Sequence, residues 1–126
     1  MSKRAITIAD ELVELAKQKS QLQFRHAACV FMGKRVFGMG YNRYNCKVFS
    51  FIRTPPFSVH AEVSAVLNCS NPRGKNVQVI RINSKNQLCN SRPCKNCIRH
   101  LKSKGIHKVY YSNEHGVILS ELVELM

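Results

Sequence analysis

The sequence predicts an α/β fold in which helices lie on both faces of one mixed sheet. Segments with helical and with strand-like patterns follow one another in the order α-β-β-α-β-α-β-β. The chain has 126 residues, 44% of them hydrophobic, which is enough for one domain with a buried core. No repeat and no Gly/Ser-rich linker divides it, so we predict a single domain over residues 1–126.

Apolar residues at helical spacing predict the first helix. They are Ile8, Leu12, Leu15 and Ala16. They follow Thr7, a residue type that caps helix N-termini. The next apolar segments, Ala27–Met32 and Val36–Tyr41, flank Gly33-Lys34-Arg35 and predict a β-hairpin. A basic loop that contains aromatic residues should follow over Tyr44–Phe57.

Two further helices are predicted in the second half of the chain. The first should begin near Ser58 or His60, and the turn residues Asn71-Pro72-Arg73-Gly74 mark its end. The second, Cys94–Lys104, should stop at Gly105, because glycine commonly ends helices.

Three strands are predicted around these helices. They are Val77–Ile82, Lys108–Ser112 and a last strand from Val117 to Leu122. The turn at 113–116 is too short for a crossover, so we expect the last two strands to pair antiparallel. The helical spacing of Leu119, Leu122 and Val123 leaves a terminal helix as the alternative.

Charge is distributed unevenly along the chain. Twenty Lys and Arg against seven acids give a net charge of +13, and Glu62 is the one carboxylate between Leu15 and Asn113. Such an excess attracts anions, for example a nucleotide, a nucleic acid or an acidic lipid surface. A surface that serves only solubility is the alternative explanation.

The sequence also predicts where the protein works. The longest apolar run, Ala27–Met32, is far too short for a membrane span, and the N-terminus does not resemble a signal peptide. Six cysteines without a secretion signal indicate metal or catalytic thiols rather than disulfides. We therefore expect a cytoplasmic protein that is neither secreted nor membrane-bound.

Two short motifs at predicted helix starts carry the chemistry: His60-Ala61-Glu62 and Pro93-Cys94-Lys95-Asn96-Cys97. Cys94 and Cys97 are three residues apart, so on a helix they share a face and can bind one metal ion. His60 at a facing helix start would complete a set of three ligands. Two cysteines and one histidine leave the fourth tetrahedral position of zinc open for water, which is typical of a catalytic site.

Glu62 would then act as a proton shuttle that does not bind the metal. A carboxylate beside the water of a zinc site can take its proton and later deliver a proton to a leaving group. A lysine or glutamine could not perform this transfer, which explains why one acid is retained in a basic stretch.

Each motif has alternatives. A Cys-x-x-Cys pair at a helix start is also typical of thioredoxin-type redox proteins. A structural zinc site could form from Cys89, Cys94, Cys97 and His100, within a module that binds nucleic acid and gives Glu62 no role. The combination of H-x-E with P-C-x-x-C matches the signature of zinc-dependent deaminases and favours that interpretation.

The motif segments resemble the cytidine and deoxycytidylate deaminase superfamily of zinc-dependent nucleobase deaminases. The resemblance rests on Ser58–Val63, Ser91–Cys97 and Lys104–Tyr111 and extends from about Ala27 to Ser112. It implies a three-layer cytidine-deaminase-like fold with a central mixed five-stranded sheet and helices on both faces. It also implies Zn²⁺ as cofactor, and members of the superfamily commonly form homo-oligomers.

The resemblance assigns a role to each motif residue. His60, Cys94 and Cys97 correspond to zinc ligands, and Glu62 to the catalytic acid/base. Two further positions implied to bind substrate are Asn42, which could reach the sugar or base, and Ala61, whose backbone would help to hold the base. A turn-forming role at a strand end is the alternative for Asn42.

The resemblance implies hydrolytic deamination of a cytosine-type base in cytidine, deoxycytidine or their monophosphates, with release of ammonia. Deamination of cytosine or adenine in single-stranded nucleic acid is the alternative. Ser64 stands where many deoxycytidylate deaminases have asparagine, and Asn42-Arg43-Tyr44-Asn45 replaces the Asn-x-Glu element of free cytidine deaminases.

Basic and aromatic residues interleave between Asn42 and His60, beside the expected pocket. They include Arg43, Lys47 and Arg53 with Tyr44, Phe49 and Phe51, and Tyr41 directly precedes the stretch. We therefore expect a phosphate-bearing substrate, a nucleotide or a nucleic acid, bound by charge and stacking. The alternative is that these aromatic residues belong to the core.

Overall fold

The computed structural model describes residues 3–19, 25–44 and 58–126. The helices are α1 (Lys3–Lys19), α2 (Ala61–Leu67) and α3 (Lys95–Ser103), with a 3₁₀ turn at Val123–Leu125. The strands are β1 (Arg25–Met32), β2 (Arg35–Tyr41), β3 (Arg43–Tyr44), β4 (Ser58–Val59), β5 (Asn76–Ile82), β6 (Leu88–Cys89), β7 (Lys108–Ser112) and β8 (Ile118–Leu122). Within these ranges, no helix has both the length and the apolar character needed to cross a membrane.

The main sheet is mixed, as predicted. Its strands lie in the order β2-β1-β5-β7-β8, and the short β6 pairs with β5 beside this path. β5 and β7 run parallel, because α3 carries the chain back across one face between them. The other neighbouring pairs in this sheet are antiparallel, and β3 and β4 form a separate two-stranded ribbon.

The sheet separates two buried clusters, which gives the predicted three layers. On one face α1 packs through Ile8, Leu12 and Ala16 against alternate residues of β1 and β5 such as Cys29 and Ile80. On the other face, α2 and α3 cover the residues of opposite parity. That second cluster includes Ala28, Val30, Ala61, Ala65, Val77, Val79, Leu101 and Val109. This alternation follows from the two-residue period of a strand that is covered on both faces.

Two glycines bring β2 unusually close to α2. A Cβ atom at Gly40 would lie 2.5 Å from the backbone nitrogen of Ala65 and 2.6 Å from the Cβ of Ser64. A Cβ atom at Gly38 would lie 2.7 Å from the Ala65 carbonyl oxygen. Side chains larger than hydrogen cannot occupy either place without moving α2, so these glycines fix the height of α2 above the sheet.

The C-terminal strands agree with the sequence prediction, whereas the start of the N-terminal helix differs from it. The last two strands form an antiparallel hairpin, with Lys108 opposite Leu122 and Gly116 at φ +77°, which confirms the predicted orientation. The prediction of a cap at Thr7 is wrong, because α1 begins at Lys3. Lysine, arginine and alanine at positions 3–5 favour helix strongly enough to extend it beyond the threonine. The predicted basic loop falls on residues 45–57, outside the described residues.

Candidate metal centre

Two helix starts face each other on the sheet. His60 is the residue that precedes α2, and Cys94 is the residue that precedes α3. Both have extended backbone angles, and neither side chain makes a capping hydrogen bond to its own helix. Side chains at these positions usually bind the first turn of their own helix. Here they point instead toward a shared centre, which brings the two predicted motifs together.

Three side-chain atoms form a compact triangle at this centre. The Nδ1 atom of His60 lies 3.0 Å from the Sγ atom of Cys97 and 3.8 Å from the Sγ atom of Cys94. The two sulfur atoms are 3.5 Å apart. Tetrahedral zinc, with bonds of about 2.3 Å to sulfur and about 2.0 Å to nitrogen, separates such ligands by about 3.5–3.8 Å. The two distances to the Cys94 sulfur match this range, and the His60–Cys97 distance is about 0.5 Å shorter, so a small opening of the triangle would accommodate zinc.

The alternative structural zinc site is wrong. Over the described part of the chain, the only group of potential metal ligands within mutual reach is His60, Cys94 and Cys97. The thiol of Cys89 donates to the backbone oxygen of Arg81 at 3.6 Å, and the Nε2 atom of His100 is buried without a partner. A set of three ligands with no fourth ligand among the described residues resembles a catalytic rather than a structural zinc site.

Glu62 lies in the first turn of α2, buried beside this triangle. Its side chain is only 4% exposed. Burial raises the pKa of its carboxyl, while a hydrogen bond from its own backbone N–H, the positive charge of His60 and a hydrogen bond from the Cys97 thiol oppose the rise. Removal from water disfavours the charged form, so this carboxyl exchanges protons at a higher pH than an exposed glutamate.

The thiol of Cys97 holds its proton tightly while no metal is bound. Burial raises its pKa, and the charge of Glu62 and the neighbouring Cys94 raise it further. Only thiolates bind zinc well, so metal binding must expel this proton. The nearby carboxylate of Glu62 is placed to receive it.

Asn42 has the hydrogen bonds of the turn-forming role considered for it, and it lies near the metal centre. Its Oδ1 atom accepts a hydrogen bond from the backbone N–H of His26 at 2.8 Å, and its own N–H donates to the His26 oxygen at 3.2 Å. These bonds close the end of the β1–β2 hairpin, as a turn-forming residue would. In the β3–β4 ribbon Arg43 pairs with Val59, so the same register places Asn42 opposite His60. The residue therefore borders the metal centre.

Ala61 lies between the metal ligand and the acid, at the first position of α2. Its side chain is fully buried. Backbone N–H groups in the first turn of a helix have no partner within the helix. The N–H of Ala61 is therefore one of the donors that the helix start directs toward the site.

A buried pair of serines, which the motif analysis missed, anchors the segment that carries Cys94. The hydroxyl of Ser91 donates to the Val79 oxygen at 2.8 Å and accepts a hydrogen bond from the Ser112 N–H at 2.8 Å. The Ser91 N–H donates to the Ser112 oxygen, also at 2.8 Å, and the Ser112 hydroxyl donates to the Cys89 oxygen at 2.6 Å. These bonds attach the start of the Ser91–Cys94 segment to β5 and β7. The only sequence signal is the position of Ser91 at the start of the segment Ser91–Cys97 that carries the family resemblance.

An ion pair flanks the same segment. The Nε atom of Arg92 donates to Oε2 of Glu121 at 3.0 Å, and the Tyr111 hydroxyl donates to the same oxygen at 2.7 Å. The hydrogen bond from Tyr111, followed by that from Arg92, lowers the pKa of Glu121. Glu121 thus links β7 and β8 to the segment that precedes the metal ligands.

Comparisons with known proteins agree with this geometry. The family model described as the cytidine and deoxycytidylate deaminase zinc-binding region matches residues 2–113. No curated protein matches the chain significantly.

Solved structures share the fold at low sequence identity. A cytidine deaminase from Burkholderia pseudomallei is 18% identical with a TM-score of 0.65, over 98% of this chain and 94% of its own. A dCMP deaminase from the cyanophage S-TIM5 is 20% identical with a TM-score of 0.55, over 90% of this chain and 86% of its own. The deaminase/reductase for diaminohydroxyphosphoribosylaminopyrimidine from Thermotoga maritima is 17% identical, with a TM-score of 0.55 and coverage of 87% of this chain and 30% of its own.

Proposed function

Because the chain belongs to the cytidine and deoxycytidylate deaminase zinc-binding family, we propose that it hydrolytically deaminates a cytosine-type base. The substrate would be cytidine, deoxycytidine or one of their monophosphates. The observation that carries this proposal is the His60–Cys94–Cys97 triangle with the buried Glu62 at its edge. Three ligands and an adjacent carboxyl of raised pKa are what a hydrolytic site needs and a redox or structural site does not.

The ligand residues and Glu62 divide the work between them. His60, Cys94 and Cys97 would hold zinc, which activates water as a nucleophile near neutral pH. Glu62 accepts a proton from the attacking water and then protonates the ring nitrogen of the base. It then takes the remaining proton from the hydroxyl group now on the ring carbon and delivers it to the departing amino group as the carbon–nitrogen bond breaks. Water is consumed, a carbon–oxygen bond replaces the carbon–nitrogen bond, and ammonia leaves.

Two positions would hold the base during this transfer. The backbone N–H of Ala61 donates to the ring carbonyl oxygen, which a cytosine base presents as an acceptor. Asn42, opposite His60 in the ribbon register, lies where it can contact the sugar or the base.

The antiparallel β8 supports the choice of a cytidine-type substrate. Among the branches that this chain resembles, that arrangement is typical of the free cytidine deaminases, whereas a helix between the last two strands is typical of the nucleotide and tRNA branch. The short turn at 113–116 leaves no room for such a helix.

The test is ammonia release by zinc-loaded protein from cytidine, deoxycytidine and their monophosphates, with metal content measured on the same sample. We expect one zinc per chain and turnover of at least one of these compounds. Folded protein that contains zinc but releases no ammonia from any of them would contradict the proposal.

A further inference from the structure

The exposed face of α3 carries a row of cations, Lys95, Arg99 and Lys102, which we call the α3 ridge. These residues are four and three positions apart, so they lie on one side of the helix. All three are exposed, while the opposite side of α3 buries Cys97, Ile98 and Leu101. The rise of an α-helix spaces the ridge over about 10 Å along the axis.

The ridge forms no ion pair with an acidic side chain among the described residues. The segment from Val63 to Asn113 contains ten Lys and Arg and no Asp or Glu. Ion pairs among the described side chains involve Lys17, Arg92 and His115, and none involves the ridge. Repulsion between neighbouring cations at a surface lowers stability, and a bound anion would relieve it.

The two ends of the ridge differ. Lys102 donates through Nζ to the Met126 backbone oxygen at 2.8 Å, and Glu124 lines the same cavity. Lys95 and Arg99 have no such neighbour among the described residues. The uncompensated end is therefore the end next to the metal centre, because Lys95 directly follows Cys94.

We propose that the α3 ridge binds the backbone phosphates of a single-stranded nucleic acid whose base enters the metal centre. This inference rests on the proposed deaminase function and extends its substrates from free cytidine-type compounds to the cytosine of a single strand. A nucleoside offers no phosphate and a monophosphate offers one, so neither can use a row of cations leading away from the site. A single strand offers successive phosphates, and its bases need not be removed from a duplex before they reach the site.

The test compares two double variants that each remove two positive charges. Lys95→Gln/Arg99→Gln alters the ridge, whereas Lys34→Gln/Lys85→Gln alters exposed lysines in the turns after β1 and β5. Binding of a fluorescent single-stranded oligonucleotide of mixed sequence is measured by anisotropy between about 50 and about 200 mM salt. Melting temperature and zinc content of each variant show that it is folded.

For the unmodified protein, affinity should fall steeply with salt as counterions are released. The ridge variant should raise Kd about tenfold and lower the slope of log Kd against log salt by about 1.4, since each lost contact with a single strand removes about 0.7. The control variant should keep the slope of the unmodified protein. Equal losses in both variants, or no binding at low salt, would overturn the proposal.

Separate measurements distinguish failure of the ridge from failure of the deaminase assignment. If the unmodified protein turns over cytidine but neither binds nor turns over an oligonucleotide, the ridge proposal is refuted and the deaminase function stands. Ridge-dependent binding of the oligonucleotide without ammonia release from any substrate would refute the deaminase function alone. Ridge-dependent binding to phosphatidylserine vesicles but not to oligonucleotides would overturn the ridge proposal in favour of a membrane surface.

Discussion

The Nδ1 atom of His60 lies 3.0 Å from the Sγ atom of Cys97, although the residues are 37 positions apart in the chain. The contact exists because α2 and α3 pack side by side on one face of the sheet with both helix starts at the same edge. The strands β5 and β6 and their connections separate the motifs in sequence. The fold therefore assembles a metal site from two local motifs, each of which places its ligands at the first turn of a helix.

Replacing a ligand should remove the metal. Cys97→Ser or His60→Ala should lower bound zinc from one per chain to almost none and reduce the melting temperature, because metal binding contributes to folding free energy. Cys89→Ser is the matched control, since the thiol of Cys89 donates to the Arg81 backbone oxygen and does not belong to the ligand triangle. Metal analysis after dialysis measures the effect. Retention of zinc by both ligand variants would refute the assignment.

Replacing the acid should separate metal binding from chemistry. Glu62→Gln should keep one zinc per chain and a similar melting temperature but reduce kcat by about two to four orders of magnitude, the usual scale for loss of acid–base catalysis. Zinc content and the rate of ammonia release are measured on the same sample. A variant with near-normal turnover would show that Glu62 is not the proton shuttle.

Removing the hydroxyl of Ser91 should weaken the metal site through the segment that carries Cys94. Ser91→Ala leaves the Val79 oxygen and the Ser112 N–H buried without their partner, which costs about 1–3 kcal/mol of stability. Zinc affinity should fall about ten- to a hundredfold, as it does when the support of a ligand is lost.

The control for this variant is Ser103→Ala, on the exposed face of α3. The Ser103 hydroxyl donates to the His100 oxygen of its own helix, so its loss should change stability by no more than about 0.5 kcal/mol. Unfolding by denaturant and competition for zinc with a chelator measure the two effects. If Ser91→Ala lowers stability but leaves zinc affinity unchanged, the serine pair supports the fold and not the site.

The metal ligands could be predicted because their signals are local. The spacing of Cys94 and Cys97 and the position of His60 before an apolar helix are visible in short windows of sequence. The pairing of Ser91 with Ser112 could not be predicted in this way. It joins residues 21 positions apart, and neither has a periodic or motif signal that points to the other.

Helix and strand boundaries can likewise be predicted where local sequence signals mark them, and not where they depend on competing or long-range effects. Strand Lys108–Ser112 was predicted to the residue, since a glycine before it and a turn after it delimit the segment. Capping preference favours a start of α1 at Thr7, but the helix propensity of residues 3–5 extends the helix to Lys3. The close approach of β2 to α2 depends on the hydrogen atoms of Gly38 and Gly40, and hydrophobic patterns carry no information about that distance.

Acid should weaken the contact between Glu121 and the segment before the metal ligands. The pKa of Glu121 is lowered by the Tyr111 hydroxyl and by Arg92, so its ionised form stabilises the folded state. That contribution is present above the ordinary pKa of glutamate and is lost as pH falls through the lowered value. Because the carboxylate is partly exposed, the effect should not exceed about 1 kcal/mol.

The variant Glu121→Gln tests this expectation. Its free energy of unfolding should change less between neutral pH and the acid range than that of the unmodified protein, and the difference should shrink at high salt. Denaturant unfolding across this range measures it. Parallel pH profiles for the two proteins would show that the ion pair contributes no pH dependence.

A methyl group at position 40 should disturb the metal centre from the opposite side of α2. In Gly40→Ala the new Cβ would lie 2.5 Å from the Ala65 nitrogen, so α2 or β2 must move. Overpacking of this kind costs about 1–3 kcal/mol. Because α2 carries His60 and Glu62 at its start, the shift should also weaken zinc binding and lower kcat.

Gly33→Ala is the control, since Gly33 has φ +58° with no atom within 4 Å of the added Cβ. It should cost about 1 kcal/mol from the left-handed backbone alone and leave zinc affinity unchanged. Equal zinc affinity in both variants, measured by chelator competition, would show that the height of α2 above the sheet does not control the site.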